Sequence, residues 1–186
     1  MRAYVEQLRT TERVGDLPPI VLATLRDKML QLACEIGDGA VWANAARSHM
    51  KAQLASIPDQ KRSTFFVGNM IPTVIDDDRD AAAAVNRKTL TGYVSLPNYR
   101  NYWKAAGYVE ETEAIEQAVA AREFDKLPGL MTDEWLADVT LYGSAADVRD
   151  GVEAWLDAGV STPILVMSST SGGQLKALEE LFNAYG

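Results

Sequence analysis

The sequence predicts an α/β protein in which four parallel strands alternate with helices. Four short apolar runs are each bounded by glycine, proline or charged residues, as in strands that are covered on both faces of a parallel sheet. Segments with apolar residues at helical spacing stand between these runs. The chain has 186 residues, of which 47% are hydrophobic and 24% charged. This composition is enough for one sizeable core, so we expect a single domain over residues 1–186.

The first half of the chain carries three of the predicted strands, after a helix at residues 1–10. The strands are expected at residues 20–25, 40–43 and 65–75, and they are separated by helices at 26–36 and 45–57 and a polar link at 58–62. Pro72 is expected to mark a bulge or the end of its strand, because proline cannot donate to a strand ladder.

A helix is predicted at residues 79–93, directly after three aspartates, Asp76, Asp77 and Asp78. Carboxylates are favourable at the positive N-terminal end of a helix. A metal-binding acidic triad is the alternative interpretation of these residues.

Residues 96–142 carry no strand signal and form a helical insertion before the last unit. Three short helices are expected there, at residues 98–106, 110–122 and 132–141, the last with Thr132 as its N-cap. Ser144 with Asp147 three places later predicts a capping-box-like start to the next helix. The fourth strand is expected at residues 162–167, and a final helix follows.

This order of elements implies parallel strands joined by right-handed crossovers, with the four strands as neighbours in chain order. Four β/α units are half of a (β/α)₈ barrel, because a full barrel needs roughly 250 residues. A small open, doubly wound sheet has the same pattern. The tryptophans stand on different elements and are expected in the core: Trp42, Trp103, Trp135 and Trp155.

Charge and composition argue against several classes of function. A net charge of −8 and a pI near 4.7 argue against binding to nucleic acid or to an anionic membrane surface. No apolar run approaches the length of a membrane span, and the first residues lack the apolar stretch of a secretory signal, so a cytoplasmic location is expected. Cys34 has no second cysteine to pair with and is expected to be a small buried apolar residue.

Two adjacent stretches, VLATLRDKML at residues 21–30 and LACEIGDGAV at residues 32–41, resemble a known family. Three later segments fit in the same order: VIDDDRDAAAAV, LPNYRNYWKAAGY and LYGSAADVRDGVEAWLDAGVSTPILV. Together they resemble the luciferase-like monooxygenases, which use FMN or the deazaflavin coenzyme F420. The resemblance covers essentially the whole chain, and it corresponds to the C-terminal half of the family's (β/α)₈ barrel.

The resemblance implies an oxidoreductase or monooxygenase that transfers hydride, or activates oxygen, on a small organic substrate. The family's first four strands and the pocket wall around the flavin ring have no counterpart in this sequence. The alternative is therefore a non-catalytic truncated paralogue, or one subunit of a split enzyme that acts as an assembly protein.

The first candidate cofactor site follows the first strand. The resemblance implies that backbone amides at Ala23, Thr24 and Leu25 hold the cofactor phosphate at the start of the next helix, and that Arg26 or Lys28 adds charge. Relatives often have Gly-Pro or Arg-Pro where this chain has Arg26-Asp27. The carboxylate of Asp27 would repel a phosphate. An ordinary solvated helix start is the alternative.

Two further places are candidates. Ser168 and Ser169 open a loop of small donors after the fourth strand, where barrels commonly bind phosphate, although an N-cap loop is the alternative. His49 is the single histidine and hence the single candidate for histidine acid–base chemistry, with an ordinary surface histidine as the alternative. One histidine argues against a zinc site, and no metal is expected.

The predicted sheet has consequences for partners. Four strands cut from a barrel leave two open edges and an apolar inner face, which promote association. We therefore expect a homodimer, or a complex with a chain that carries the N-terminal half. The alternative is that the helices of residues 96–142 cap the open face. A single copy is expected to bind FMN weakly or not at all, because half of the pocket would be absent.

Overall fold

The computed structural model describes residues 1–12 and 15–186. Its strands are β1 (Val21–Ala23), β2 (Gly39–Ala43), β3 (Phe66–Ile75), β4 (Leu141–Gly143) and β5 (Thr162–Ser168). Its α-helices are α1 (Arg2–Thr10), α2 (Asp27–Ile36), α3 (Arg47–Leu54), α4 (Asp59–Arg62), α5 (Arg79–Val94), α6 (Pro97–Ala105), α7 (Val109–Ala120), α8 (Asp133–Val139), α9 (Ala145–Asp157) and α10 (Gln174–Tyr185). A 3₁₀ helix, Phe124–Leu130, links α7 to α8.

All of the strand pairs are parallel, and the four predicted strands are neighbours in the predicted order. β1 pairs with β2, β2 pairs with the first half of β3, and β3 pairs with β5. The prediction of an α/β fold with a parallel sheet is therefore confirmed. None of the helices in the described part of the chain is long and apolar enough to cross a membrane.

The sheet contains one strand that the sequence did not predict. β4 pairs with residues 73–75 of β3, while β5 lies on the opposite edge of β3 at the same level. β4 therefore pairs with the same edge of β3 as β2 does, but further along the strand, after the pairing with β2 ends at Met70. The helix predicted to reach residue 141 ends at Val139, and a buried strand of three residues is too short to show a period in the sequence.

Pro72 does not end its strand, so that prediction is wrong. β3 continues to Ile75, and Pro72 stays in register with Val166 of β5. On the other edge of β3, Pro72 lies between the residues that pair with β2 and those that pair with β4. The ladder on that edge is already interrupted where proline stands. Residues 59–62, expected within a polar link, form the single turn α4.

The predicted helix caps are present. Thr132 accepts a hydrogen bond from the backbone of Trp135, and Ser144 forms a capping box with Asp147. Asp78 accepts from the backbone of Ala81 at 3.0 Å and so caps α5. The capping interpretation of this aspartate is therefore confirmed. Among the described residues, no group of three or more His, Cys, Asp or Glu side chains is placed to hold a metal ion.

The core lies between the sheet and the outer helices. The four tryptophans are fully buried, as predicted, and Cys34 is buried at 8% exposure. The opposite side of the sheet, here called the inner face, carries the alternate residues that align across the strands: Val21, Ala23, Val41, Ala43, Phe66, Gly68, Met70, Ile164 and Val166. Val21 and Met70 remain 39% and 42% exposed, so the helices of residues 96–142 do not fully cover this face.

Candidate functional site

A cleft of 640 Å³ lies at the carboxyl ends of β1 and β2, beside the first turn of α6. Four of the predicted cofactor-binding residues line it together: Ala23, Thr24, Leu25 and Arg26. β2 and β3 add apolar wall through Val41, Ala43 and Met70. The carboxyl end of a parallel sheet is where α/β barrels place their functional groups. We therefore take this cleft as the candidate functional site.

The loop between β1 and α2 is held by contacts from two neighbouring elements. The backbone N–H of Thr24 donates to the carbonyl of Val41 at 2.8 Å and so extends the ladder beyond β1. The amide of Gln53, in α3, donates to the carbonyl of Leu25 at 3.0 Å. Arg26 is the N-cap of α2 and has an extended backbone with no capping side chain. The first backbone N–H groups of α2 are therefore not capped by a neighbouring side chain.

The hydroxyl of Thr24 is the polar group in the cleft that most clearly suits a ligand. Thr24 is 4% exposed, and its Oγ1 has no hydrogen-bond partner among residues 1–12 and 15–186. A buried hydroxyl without a partner is costly, because it has lost water without gaining a replacement. No acidic residue of the described chain lines the cleft. A ligand with an acceptor oxygen, anionic or neutral, would satisfy this hydroxyl.

Lys28 lies outside the main cleft. It lines an adjoining cavity of 370 Å³ together with Arg26, Asp27 and Met29. Arg26 and Met29 line both spaces. Asp27, which the sequence identified as unfavourable for phosphate binding, therefore belongs to the adjoining cavity rather than to the cleft wall.

Ser168 and Ser169 are not brought to the cleft, because β3 separates β5 from β2. Ser169 donates to Glu180 at 2.9 Å and accepts from the backbone of Ser171 at 3.2 Å. Thr170 in the same loop donates to Asp76, and this hydrogen bond holds the pKa of the Asp76 carboxyl below its usual value. The hydroxyls of Ser169 and Thr170 are used within the loop and toward carboxylates, and the N-cap of α10 is Gly173, which has no side chain to cap the helix.

His49 is also outside the cleft. It lies half-buried in the first turn of α3, where its ring meets the ring of Tyr102 edge-on at 6.0 Å between centroids. The hydroxyl of Tyr102 accepts a hydrogen bond from the backbone of Ala46 at 3.0 Å, and burial raises the pKa of Tyr102. These contacts attach α6 to the start of α3.

The other side of the cleft comes from residues that the sequence did not single out. Asn98, Tyr99 and Asn101 of α6 line it opposite β1. They belong to the segment LPNYRNYWKAAGY, which carried the family resemblance but was not assigned to a site. Its signal was a proline at the first helical position followed by two side-chain amides. Burial raises the pKa of the Tyr99 hydroxyl.

Asn44 positions α6 over the sheet. It follows β2 with a left-handed backbone, φ 56°, which asparagine tolerates better than most residues. Its carbonyl accepts a hydrogen bond from the indole of Trp103 at 3.1 Å. Trp103 in turn packs edge-on against Trp135, with ring centroids 4.9 Å apart. The wall that α6 contributes is therefore anchored in the core.

Known proteins resemble the chain at the level of family and fold. The family model described as luciferase-like monooxygenase matches residues 2–162. No curated protein sequence shows significant similarity. Similar solved structures include the coenzyme F420 dependent tetrahydromethanopterin reductase from Methanopyrus kandleri, with 19% identity and a TM-score of 0.67 over 89% of this chain. They also include an F420-dependent secondary alcohol dehydrogenase in complex with an F420-acetone adduct, with 14% identity and a TM-score of 0.60 over 92% of this chain.

This chain spans about half the length of those two proteins, covering 49% of the first and 50% of the second. The likeness in fold supports the interpretation of the sheet as part of a barrel rather than as a separate doubly wound domain. The family match extends over most of the chain, from α1 to the start of β5. The chain belongs to the luciferase-like monooxygenase family.

Proposed function

We propose that the chain is part of a flavin- or deazaflavin-dependent oxidoreductase, and that the cleft at the carboxyl ends of β1 and β2 holds the phosphate-bearing part of the cofactor. The observation that carries this proposal is the buried, unpartnered hydroxyl of Thr24 beside the uncapped N-terminus of α2. Family membership supports a cofactor of this class. Both named structural neighbours are F420-dependent, which makes F420 the first cofactor to test and FMN the second.

The charges around the cleft suit a phosphate. The N-terminus of a helix carries a partial positive charge and free N–H donors, which stabilise an anion. Arg26 stands at this N-terminus and adds a full positive charge. Thr24 would donate its hydroxyl hydrogen to a phosphate oxygen, and the buried group would then have its partner.

The shape and walls of the cleft suit one part of a larger ligand. Its volume, 640 Å³, lies within the range of small-molecule sites, about 300–1,000 Å³. Val41, Ala43, Met70 and Tyr99 provide apolar surface on which a ring system packs. A bound flavin or deazaflavin supplies the hydride-transfer chemistry, while the residues of this chain bind, orient and exclude water. The substrate class that we propose is a small organic molecule.

A second candidate function is that of an assembly subunit. The open inner face favours it, because Val21 and Met70 there are 39% and 42% exposed. In that case the chain would complete the barrel of a partner without holding the cofactor itself. Cofactor titration distinguishes the two functions, because the assembly subunit alone would not respond to either cofactor.

The test is a fluorescence titration of the purified chain with F420 and, separately, with FMN. We expect saturable binding that Thr24→Val and Arg26→Ala each weaken about tenfold or more, since a hydrogen bond to a charged group contributes roughly 1.5–3 kcal/mol. Asp27→Pro is expected to leave affinity unchanged, because proline is tolerated at the first helical position.

Ser169→Ala is the matched control on the far side of β3. If Ser169→Ala weakens binding while Thr24→Val does not, the phosphate is held at the β5 loop and our assignment of the cleft is wrong. If neither cofactor binds at any protein concentration, the cofactor proposal fails and the assembly function is favoured.

A further inference from the structure

Both ends of the sheet have an unpaired edge in the described part of the chain. β1 pairs with β2 alone, and β5 pairs with β3 alone. Six of the seven residues of β5 are half-buried rather than buried, although the strand reads Thr-Pro-Ile-Leu-Val-Met-Ser. Unpaired apolar edges are templates for pairing with another strand, and folded proteins usually cover them.

The inner face between these two edges is apolar and carries no charged residue. Phe66, Ile164 and Val166 are half-buried, and Val21 and Met70 are exposed. A contiguous apolar surface of this kind marks an interaction site in a folded protein. The candidate cleft opens from the carboxyl end of this face, because Ala23, Val41 and Met70 belong to both.

The chain exposes more surface than a compact monomer of its mass, which supports the presence of an interface on this face. A compact monomer of 20.3 kDa is expected to expose about 8,800 Å², whereas this chain exposes 10261 Å². The excess over that expectation is roughly 1,500 Å² per copy. Two such surfaces brought together fall within the range of obligate dimer interfaces, about 2,000–5,000 Å² in total.

Helix α10 shows a second uncovered surface next to β5. It packs inward through Ala177 and Ala184, and it leaves Leu175 and Phe182 exposed at 85% and 73%. Tyr185 continues the same stripe at 54% exposure. A second apolar surface is therefore uncovered in the outer helix layer, on the helix that packs against β5.

We infer that a second copy of this chain covers the inner face and that the two copies close one eight-stranded barrel. The sheet path β1-β2-β3-β5 contributes four parallel strands with one open edge at each end. A two-fold rotation about the barrel axis brings β5 of one copy beside β1 of the other while all strands stay parallel. Two sets of four strands make eight, the number of a closed (β/α)₈ barrel.

This closure would complete the candidate cleft. The cleft is open on the side of the inner face, and the partner copy would supply the missing wall. The interface does not depend on cofactor binding, because the open edges and the apolar face belong to the chain itself. A chain that does not bind the cofactor would therefore contradict the proposed function, whereas a chain that does not dimerise would contradict only the barrel closure.

The first test is sedimentation equilibrium of the chain without cofactor. We expect twice the mass of 20.3 kDa at low micromolar concentration. Because each copy carries a net charge of −8, added salt should tighten the dimer. A monomer at tens of micromolar, a dimer that weakens with salt, or a chain that gains mass only when a separate N-terminal-half chain is added would each overturn the inference.

The second test uses one variant on each edge strand. The closed barrel has two seams, each formed by β1 of one copy and β5 of the other. Val21→Glu and Ile164→Lys are each expected to raise the dissociation constant of the dimer at least about 100-fold, because each places an uncompensated charge in both seams. Circular dichroism and thermal unfolding check that both variants stay folded. Phe124→Glu is the control, since Phe124 is 50% exposed on the 3₁₀ helix, outside both edge strands.

Mixing the two edge variants distinguishes barrel closure from other dimers. In the closed barrel, a mixed dimer has one seam with Glu and Lys together and one seam with neither substitution. We therefore expect the mixture to dimerise while each variant alone does not. If β5 pairs with β5 instead, Val21→Glu alone stays dimeric while Ile164→Lys alone does not. If Phe182→Lys disrupts the dimer and the edge variants do not, the copies associate through α10, and barrel closure is wrong.

Discussion

The carboxylate of Asp138, in α8, caps the N-terminus of α3 by binding Ser48, which lies 90 residues earlier in the chain. It accepts a hydrogen bond from the Ser48 backbone at 2.9 Å and another from the Ser48 hydroxyl at 2.6 Å. The hydroxyl of Tyr108 donates to the same carboxylate at 2.8 Å. The N-cap residue of α3 itself is Ala46, which has no side-chain acceptor. The insertion thus supplies the cap that α3 lacks locally.

Asp138→Ala is expected to lower the free energy of unfolding by about 2 kcal/mol, because three partly buried donors lose their acceptor at once. Urea unfolding followed by circular dichroism measures the change. The control is Asp133→Ala in the same helix, whose 87% exposed side chain pairs with Arg87 at the surface. That change is expected to cost less than about 1 kcal/mol. Equal losses in the two variants would show that Asp138 does not act as the cap of α3.

Gly39 is required by the close approach of β2 and β3. A Cβ atom at this position would lie 2.5 Å from the Cβ of Phe66 and 2.7 Å from its carbonyl oxygen. Gly39→Ala is therefore expected to destabilise the chain by about 2 kcal/mol or more, because a strand must shift. Thermal unfolding of the variant measures the loss.

The matched variant is Gly92→Ala in α5, where a Cβ would meet no atom within 4 Å. It is expected to stabilise the chain by about 0.5–1 kcal/mol, since alanine has the higher helix propensity. The same glycine-to-alanine change is therefore expected to lower the free energy of unfolding at position 39 and to raise it at position 92. A stable Gly39→Ala variant would contradict the close approach of the strands.

Glu116 gives a contribution to stability that depends on pH. Its hydrogen bond from Lys104 at 2.7 Å, together with the charges of Lys104 and Arg100, lowers the pKa of the Glu116 carboxyl from 4.5. A carboxyl with a lowered folded-state pKa stabilises the fold above its unfolded pKa, and the contribution is lost as the pH falls through the folded value.

Glu116→Gln is therefore expected to reduce the free energy of unfolding at pH 7, by less than about 1 kcal/mol because the pair is partly solvent-screened. The difference from the unsubstituted chain should shrink as the pH is lowered below 4.5. Urea unfolding at pH 7 and pH 3 measures it. Glu113→Gln, at an exposed position of the same helix, is the control. A difference that grows in acid would contradict the ion pair.

Cys34 is expected to react slowly with thiol reagents in the folded protein. Burial raises the pKa of its thiol, so little thiolate is present at pH 8, and access is limited at 8% exposure. The measurement is the rate of modification by a disulfide reagent, with and without urea. We expect at least a tenfold acceleration on unfolding, or about 1.4 kcal/mol of protection. Equal rates would mean that the thiol is accessible in the native state.

The long apolar strands were predictable because burial on both faces leaves an unbroken signal in the sequence. The segments expected at residues 65–75 and 162–167 correspond to Phe66–Ile75 and Thr162–Ser168 in the structure. β4 was not predictable in the same way, since three residues carry no period and its pairing depends on β3, nearly seventy residues earlier.

The candidate site likewise contains residues that could be predicted from the sequence and residues that could not. Ala23 to Arg26 were identified because they stand at the carboxyl end of the first predicted strand, and the family resemblance implied that this end holds the cofactor phosphate. The contribution of Tyr99 depends on the hydrogen bond between Trp103 and Asn44, which are 59 residues apart. A contact of that range leaves no local pattern, so the α6 wall of the cleft emerges only in three dimensions.

The central place of β3 has a consequence for the order in which the chain folds. β1, β2 and β3 are joined by short crossovers and can pair early, because the entropy lost in closing their loops is small. β5 must find β3 across 94 residues, the separation between the Ser161 hydroxyl and the Val67 backbone that it contacts. Such long-range pairing slows folding. We therefore expect β5, one of the two strands with an open edge, to dock last, and a partner copy would meet that edge only after the rest of the sheet has formed.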